Sequence, residues 1–276
     1  MSRTAAPKAN TEALLREDAP ATQALCVQGV SKRFGGVLAV DDVSFEVAAS
    51  TITSVIGPNG AGKTTLMNIL SAVIRPSSGE VTVGDTRVSA IRPQHAVSAG
   101  IARTFQNLAV FPHATVAENI LVGMHRHLRT GLLGDMLFYG SARRQEIAAR
   151  EAAEHIIEFL EIEPYRDVPV GTLSYGLQKR VELARALAAQ PRVLVLDEMV
   201  SGMNQEETED IARFILDLKE EKALTVVMVE HDMRIVMDIS DAVVVLNFGK
   251  KIAEGPPKSV IDDPLVQQAY MGTTRA

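Results

Sequence analysis

Two kinds of apolar pattern occur along this chain, and they predict two kinds of β-strand. In the first, apolar and polar residues alternate, as they do from Leu25, from Val43 and from Val81. Alternation of this kind is typical of short antiparallel strands that bury one face. The second is a continuous apolar run of strand length, which indicates a strand buried on both faces of a parallel sheet. Four runs have this character: "TITSVIG" (51–57), "RVLVLDE" (192–198), "TVVMVEH" (225–231) and "DAVVVLNFG" (241–249).

Helical spacing fills the segments between the buried runs. Residues 205–221 have apolar positions at i, i+3, i+4 and i+7, which places one apolar stripe along a helix. The stripe consists of Ile211, Phe214, Ile215 and Leu218. Strands that alternate with helices in this way are typical of an α/β fold with a parallel sheet.

Two further segments differ from this alternation. From about residue 108 to 178 the chain is predicted to be a mostly helical insert, because Thr115 and Glu118 match the T-x-x-E capping box and helical spacing continues through 143–162. Residues 1–24 are rich in Ala, Thr, Pro and charge and show little apolar periodicity, which predicts a flexible tail. One domain, 25–276, is therefore expected, ending in a short extension at about 256–276.

Composition narrows the functional classes. The formal net charge is −6, from 28 Lys and Arg against 34 Asp and Glu, so no overall positive field would attract nucleic acid. The single cysteine, Cys26, cannot form an intramolecular disulfide, and the six histidines show no metal-binding spacing, which suits a reducing cytosol. No apolar run reaches the roughly 18–20 residues that a membrane span needs. Membrane association is therefore expected only through a partner.

Residues 57–64, "GPNGAGKT", match the pattern G-x-x-x-x-G-K-[ST] between a predicted strand and a predicted helix. Glycines let backbone N–H groups point inward, the helix N-terminus adds positive partial charge, and Lys63 adds a full charge. We expect this loop to bind the β- and γ-phosphates of a nucleoside triphosphate, and Thr64 to coordinate Mg²⁺. The predicted nucleotide-binding residues, called the phosphate loop below, are Gly57, Pro58, Asn59, Gly60, Ala61, Gly62, Lys63, Thr64 and Thr65.

A phosphate loop alone does not distinguish a GTPase, a kinase or a transport ATPase. Asp197 and Glu198 end a buried strand whose direction brings both beside the loop. Asp197 is suited to hold Mg²⁺ through water, and Glu198 to polarise the attacking water as a general base. His231 ends another such strand and is placed to bond the γ-phosphate. The chain contains no N-K-x-D and no D-x-x-G segment, which argues against a GTPase.

With these motifs in this order, the chain from Leu25 onward resembles the ATP-binding subunit of an ABC transporter. Residues 173–187, "LSYGLQKRVELARAL", are similar to the family's signature, and we call them the signature segment. The resemblance implies an α/β fold with a P-loop NTPase (RecA-like) core, an antiparallel β subdomain and an inserted helical subdomain. It also implies head-to-tail pairing of two subunits, with Ser174 and Gly176 of each completing the other's ATP site. Gln106 would contact Mg²⁺ and the attacking water, and Phe34 would stack on adenine.

Within that superfamily, residues 100–134 and 229–255, with Tyr175 and Asn204, are similar to the ATPases of bacterial branched-chain amino acid importers. The resemblance implies Mg²⁺-dependent ATP hydrolysis on the cytoplasmic face of the membrane. A second, identical or paralogous ATPase, two transmembrane permeases and a periplasmic solute-binding protein would be the partners. Two alternatives stay open: an importer subunit for another small polar solute such as urea or an amide, and a soluble ABC-type ATPase of a non-transport machine.

Three positions depart from the family's usual pattern. Met199 stands where proline is usual after Glu198, and without proline's fixed φ the turn is expected to be looser. Leu177 replaces the glutamine that usually ends the signature, which removes polar contacts at the dimer interface. The residue before Asn204 in "SGMN" is Met rather than the more common Leu. The apolar stretch "GLLGDMLFYG" (131–140) is the expected permease contact, with packing under the helical insert as the alternative.

Overall fold

The computed structural model describes residues 23–92, 95–104, 108–124 and 139–271. Its strands are β1 (Gln23–Phe34), β2 (Val37–Ala48), β3 (Ile52–Ile56), β4 (Ser78–Val83), β5 (Thr86–Arg87), β6 (Ile101–Arg103), β7 (Val193–Asp197), β8 (Thr225–Val229), β9 (Ala242–Asn247) and β10 (Lys250–Gly255). Its helices are α1 (Lys63–Leu70), α2 (Val116–Met124), α3 (Tyr139–Phe159), α4 (Tyr175–Ala188), α5 (Gln205–Lys222), α6 (Met233–Ile239), α7 (Pro257–Ile261) and α8 (Pro264–Met271).

The alternating segments form an antiparallel sheet in the order β2-β1-β4-β5. In β1, Leu25 lies opposite Val47 on one side and Val83 on the other, so the apolar positions of three strands share one buried face. The antiparallel strands predicted from Leu25, Val43 and Val81 are thereby confirmed. The first strand begins at Gln23, inside the segment predicted to be a tail, and residues 1–22 lie outside the described residues.

The four continuous apolar runs form strands β3, β7, β8 and β9 of a second sheet, in the order β10-β9-β3-β8-β7-β6. Every pairing in this sheet is parallel except that of β10 with β9. All five residues of β3, of β7 and of β8 are buried, as predicted for strands covered on both faces. Because these three strands run parallel as neighbours, their carboxyl ends meet at one edge of the sheet.

The helices pack on this sheet through their apolar stripes. Helix α5 buries Ile211, Phe214, Ile215 and Leu218, the stripe predicted from the sequence. Thr115 and Glu118 form the predicted reciprocal capping box before α2, with N–H to oxygen distances of 2.8 and 3.2 Å. Helices α2, α3 and α4 pack against one another. No helix in the described ranges is long and apolar enough to cross a membrane.

The parallel sheet separates two hydrophobic clusters. One cluster lies between the sheet and α2 to α6, and the other lies between the sheet, α1 and the antiparallel sheet. The observed architecture is the predicted α/β fold with a P-loop NTPase core. The limits of the helical insert (108–178) and of the C-terminal extension (256–276) stay predictions.

Candidate nucleotide site

The phosphate loop joins the buried end of β3 to the start of α1. Gly57 and Gly62 have φ angles of 151° and 101°, in the region that favours glycine. A Cβ atom at Gly57 would lie 2.2 Å from the carbonyl oxygen of Leu246, and one at Gly62 would lie 2.4 Å from that of Ala39. These two glycines are therefore required both by their backbone conformation and by close packing.

The start of α1 offers donors to an anion. Gly62 is the N-cap residue, no side chain among the described residues caps this end, and the first turn contains no acidic residue. Uncapped N–H groups at a helix start need an acceptor, and the helix dipole favours a negatively charged one. Asn59 and Gly60 are exposed at the tip of the loop, and Thr64 is exposed at the helix start. The loop and the helix start therefore fit a phosphate group.

Lys63 lies inside the loop and is only 7% exposed. Its Nζ donates hydrogen bonds to the carbonyl oxygens of Gly57, at 2.7 Å, and Pro58, at 3.1 Å. Burial lowers the pKa of this ammonium, while the neighbouring Glu198 and Asp197 carboxylates oppose that shift. The ammonium is thus held beneath the loop, between the phosphate-binding backbone and two carboxylates.

Glu198 and His231 meet at the carboxyl edge of the parallel sheet. Glu198 Oε1 lies 2.9 Å from Nε2 of His231. The backbone of Glu198 has a φ of 50°, and its N–H donates to the carbonyl oxygen of Val229 at 2.9 Å. The Glu198 side chain is 18% exposed and that of His231 is 49% exposed. The carboxylate is therefore enclosed but reachable, and the imidazole is open to a ligand.

Asp197, the last residue of β7, is buried and forms an ion pair with Arg103, the last residue of β6. Arg103 Nη2 lies 2.7 Å from Asp197 Oδ2, and neither side chain is more than 7% exposed. Sequence reasoning missed this arginine, although a cation that ends an apolar strand three residues before Gln106 was a usable signal. The carboxylate expected to serve Mg²⁺ thus has a fixed cationic neighbour.

The turn after Glu198 is held by burial and by a hydrogen bond. Met199 is fully buried. The Val200 N–H donates to Glu230 Oε1 at 3.2 Å. The expectation that Met199 loosens this turn relative to proline stays a prediction. Glu230, also missed from the sequence, ties the Glu198 turn to the His231 turn.

Glu230 is expected to make the stability of the fold depend on pH. Burial raises the pKa of Glu230 from 4.5 to about 7, so the folded state binds the proton more tightly than the unfolded state. Its contribution is therefore fully present below pH 4.5 and is lost as pH rises through about 7, by about 3 kcal/mol. Glu230→Gln is expected to remove most of this pH dependence, measured as the free energy of unfolding at pH 5 and pH 8. Glu220→Gln, at an exposed position, serves as the control.

The signature segment begins a helix on another part of the molecule. Ser174 is the N-cap residue of α4, and its Oγ accepts a hydrogen bond from the N–H of Leu177 at 3.3 Å. Leu177, which departs from the family's glutamine, packs its side chain against the hydrophobic core. Gly176 is buried against Glu207, whereas Ser174 is exposed. No hydrogen bond or ion pair between the described residues joins Ser174 or Gly176 to the phosphate loop.

Gly176→Ala is expected to break a contact between α4 and α5. The new Cβ would lie 2.3 Å from Oε1 of Glu207, whose other oxygen accepts the Asn204 N–H in the capping box of α5. Displacing Glu207 should cost about 1 kcal/mol of stability, the usual size of a cap. The double variant Gly176→Ala/Glu207→Ala should then be little less stable than Gly176→Ala alone, as measured by denaturant unfolding. If the stability losses of the two single variants simply add in the double variant, the proposed coupling is contradicted. Gly36→Ala, where a Cβ meets no atom within 4 Å, is the matched control.

The structure describes Phe34, the predicted adenine-stacking residue, but not Gln106, the predicted Mg²⁺ contact. Phe34 ends β1 with 49% of its surface exposed, and the Lys32 ammonium lies 5.1 Å from its ring centroid. The half-exposed ring is compatible with stacking on a base. Gln106 lies outside the described residues, as does most of the apolar stretch 131–140. The structure thus brings together the phosphate loop, Asp197, Glu198 and His231.

Comparison with known proteins gives consistent matches. Residues 40–201 match the family model described as "ABC transporter", and residues 250–276 match the one described as "Branched-chain amino acid ATP-binding cassette transporter". The high-affinity branched-chain amino acid transport ATP-binding protein BraF of Pseudomonas aeruginosa is 41% identical over 246 residues, which is 89% of this chain and 96% of BraF. LivG of Escherichia coli, of the same description, is 38% identical over 248 residues, 90% of this chain and 97% of LivG. A crystal structure of the ADP conformation of an ABC transporter cassette is 34% identical, with a TM-score of 0.79, covering 91% of this chain and 99% of that one.

Proposed function

Because this chain belongs to the ATP-binding family of ABC transporters, we propose that it is the ATP-hydrolysing subunit of an importer for branched-chain or related amino acids. One observation carries the chemistry: Lys63, Asp197, Glu198 and His231 surround one glycine loop at the carboxyl edge of one parallel sheet. The choice of solute is supported by the printed functions of BraF and LivG and by the family matched at residues 250–276.

Each residue has a distinct role in this proposal. The phosphate loop and Lys63 bind the phosphates, and Phe34 stacks on the adenine. Thr64, Asp197 and Gln106 would hold Mg²⁺, which supplies charge neutralisation between the phosphates. Glu198 accepts a proton from the attacking water, and the exposed imidazole of His231 bonds the γ-phosphate.

The site of a single subunit is incomplete without a second ATPase. Ser174 is exposed at the start of α4, and no hydrogen bond between described residues joins it to the phosphate loop of its own chain. A helix start with a hydroxyl and free-facing N–H groups suits a γ-phosphate offered by another molecule. We therefore assign Ser174 and Gly176 to the ATP bound by a head-to-tail partner, whether identical or paralogous.

Transmembrane permeases are the other partners of the proposed complex. ATP binding favours the closed dimer, because each nucleotide contacts both subunits only in that state. The segment that contains Gln106, with the apolar stretch 131–140, would pass closure to the permease. This subunit would lie on the cytoplasmic face of the bacterial membrane, and a periplasmic binding protein would deliver the solute from the other side.

The first test is Mg²⁺-dependent ATP hydrolysis by the purified chain at increasing protein concentration. A rate that rises faster than linearly, and is lost in Glu198→Gln, would show that self-pairing completes the site. Tight ATP binding with no hydrolysis at any concentration would mean that the other half must come from a different ATPase or from the permease. No ATP binding would contradict the proposed function.

Mixing two inactive variants tests the composite site directly. Lys63→Ala keeps Ser174, and Ser174→Arg keeps Lys63, so a mixed dimer contains one intact site assembled from both chains. Activity should return on mixing, to at most about half of the wild-type level per dimer if each site works independently. Absence of any recovery, with both variants folded and the wild type active, would rule out sites shared between two copies. A separate experiment tests the identity of the transported solute. After reconstitution with the permeases, uptake of radiolabelled leucine should be compared with uptake of radiolabelled urea.

A further inference from the structure

We propose that Arg103 is a positioning residue that orients the Asp197 carboxylate for Mg²⁺. This inference rests on the proposed function, because it takes the Mg²⁺ role of Asp197 as given. Arg103 contacts the Asp197 carboxylate directly, with Nη2 at 2.7 Å from Oδ2. Its effect on Mg²⁺ is therefore expected to pass through Asp197.

Hydrogen bonds to three residues of the described ranges hold the guanidinium of Arg103. Nη2 donates to Asp197 Oδ2 at 2.7 Å, and Nη1 donates to Asn68 Oδ1 at 2.6 Å and to Ser71 Oγ at 2.9 Å. Ser71 is itself held, because its hydroxyl donates to the Met67 carbonyl at 2.7 Å. The planar fork of arginine suits such a set of bonds, whereas the ammonium of lysine is a flexible point charge.

The three partners of Arg103 come from elements that build the nucleotide site. Asn68 lies on α1 and Ser71 at its end, and this helix begins with Lys63 and Thr64. Asp197 ends β7, next to Glu198. Arg103 thus connects the helix that follows the phosphate loop with the strand that carries the two carboxylates.

The chain that follows Arg103 is joined to the same strand. The Thr104 N–H donates to the Val195 carbonyl at 3.0 Å, and the Asp197 N–H lies 3.4 Å from Thr104 Oγ1. The end of β6 is therefore joined to β7 by these two contacts as well as by the ion pair between Arg103 and Asp197.

Burial explains why Asp197 needs this partner. Its side chain is 5% exposed, and a buried carboxylate without a cation or donor is costly and tends to turn toward water. A rotated Asp197 would be a poor acceptor for the water shell of Mg²⁺. Groups that orient metal-binding carboxylates in this way typically change metal affinity by roughly 10- to 100-fold when they are removed.

A purely structural role for Arg103 predicts a different result. If the ion pair served only to stabilise the fold, its loss would lower the melting temperature and affect nucleotide binding equally with and without Mg²⁺. If Arg103 positions Asp197, its loss should weaken only the part of nucleotide binding that Mg²⁺ adds. The ratio of ATP affinity in Mg²⁺ to ATP affinity in EDTA separates these two roles.

The experiment titrates a fluorescent ATP analogue into the full chain in Mg²⁺ and in EDTA. For Arg103→Gln, the Mg²⁺/EDTA affinity ratio is expected to fall roughly tenfold or more, with the affinity in EDTA within about twofold of wild type. Arg103→Lys should recover part of the ratio, because it restores the charge without the fork. Arg213→Gln, which removes an arginine of α5 that is paired with Glu161, is the control and should leave the ratio unchanged.

A double-mutant cycle with Asp197→Asn completes the test. The ratio should already be low in Asp197→Asn, and adding Arg103→Gln should lower it no further. An unchanged ratio in Arg103→Gln, or equal losses in Mg²⁺ and EDTA, would overturn the inference while leaving the proposed function intact. If Arg103→Gln does not fold, Arg103→Lys and the cycle built on it give the same decision. A wild-type protein with no Mg²⁺-dependent gain would instead contradict the proposed function.

Discussion

Replacing Glu198 with glutamine is expected to lower ATP turnover by roughly 10²- to 10³-fold, the usual size of the loss of one aligned general base. ATP affinity should change little, because the amide is nearly isosteric with the carboxylate and the Glu198 side chain lies beside His231 Nε2, at 2.9 Å. The amide has nearly the shape of the carboxylate and keeps an oxygen that can face His231 Nε2. What it loses is the ability to take a proton from water at neutral pH.

The geometry makes Glu198→Gln a test of chemistry rather than of folding. The backbone at Glu198 is fixed by its N–H bond to the Val229 carbonyl and by the buried Met199 that follows it, and neither depends on the carboxylate. Single-turnover hydrolysis and equilibrium ATP binding should be measured on the same preparation. Glu206→Gln, at an exposed position of α5, is the control for removing one negative charge. Near wild-type turnover in Glu198→Gln would exclude Glu198 as the base.

The strands and the nucleotide loop were predictable because their signals are local. Continuous apolar runs identify β3, β7, β8 and β9, and their parallel direction places Asp197, Glu198 and His231 at one edge. The phosphate loop follows from glycine spacing and from the strand and helix around it. Strand β6 has only three residues, Ile101–Arg103, which is too short for a periodicity argument.

The groups that orient the site were not predictable, because their partners are distant in sequence. Arg103 and Asp197 are 94 positions apart, and Glu230 is 30 positions from the Val200 N–H that it accepts. Buried polar groups must find partners, but the sequence does not say which.

The start of α4 illustrates the same limit. Ser174 is the N-cap residue of this helix, and its hydroxyl accepts the N–H of Leu177. The close approach of Gly176 to Glu207 depends on how α4 and α5 pack, which no local pattern encodes. Contacts between packed helices, such as this one between α4 and α5, are therefore known from the structure and not from the sequence.

Lys63→Ala is expected to weaken ATP binding by about 100-fold, within the range expected for a lost hydrogen bond to a charged group. The buried ammonium lies between the loop carbonyls of Gly57 and Pro58 and the carboxylates of Asp197 and Glu198. Its removal takes away the attraction for the phosphates and also leaves those two carboxylates facing them without compensation. Affinity should therefore fall both with Mg²⁺ and in EDTA, unlike the loss expected for Arg103→Gln.

The control for Lys63→Ala is Lys219→Ala, which removes a lysine paired with Asp241 on another part of the fold. Titration of the same fluorescent ATP analogue, with thermal unfolding to verify the fold, gives the measurement. Unchanged affinity would exclude the phosphate loop as the nucleotide site, whatever the turnover. Because Glu198→Gln should retain binding and lose turnover whereas Lys63→Ala should lose binding itself, the pair separates the residue that holds the phosphates from the residue that activates water.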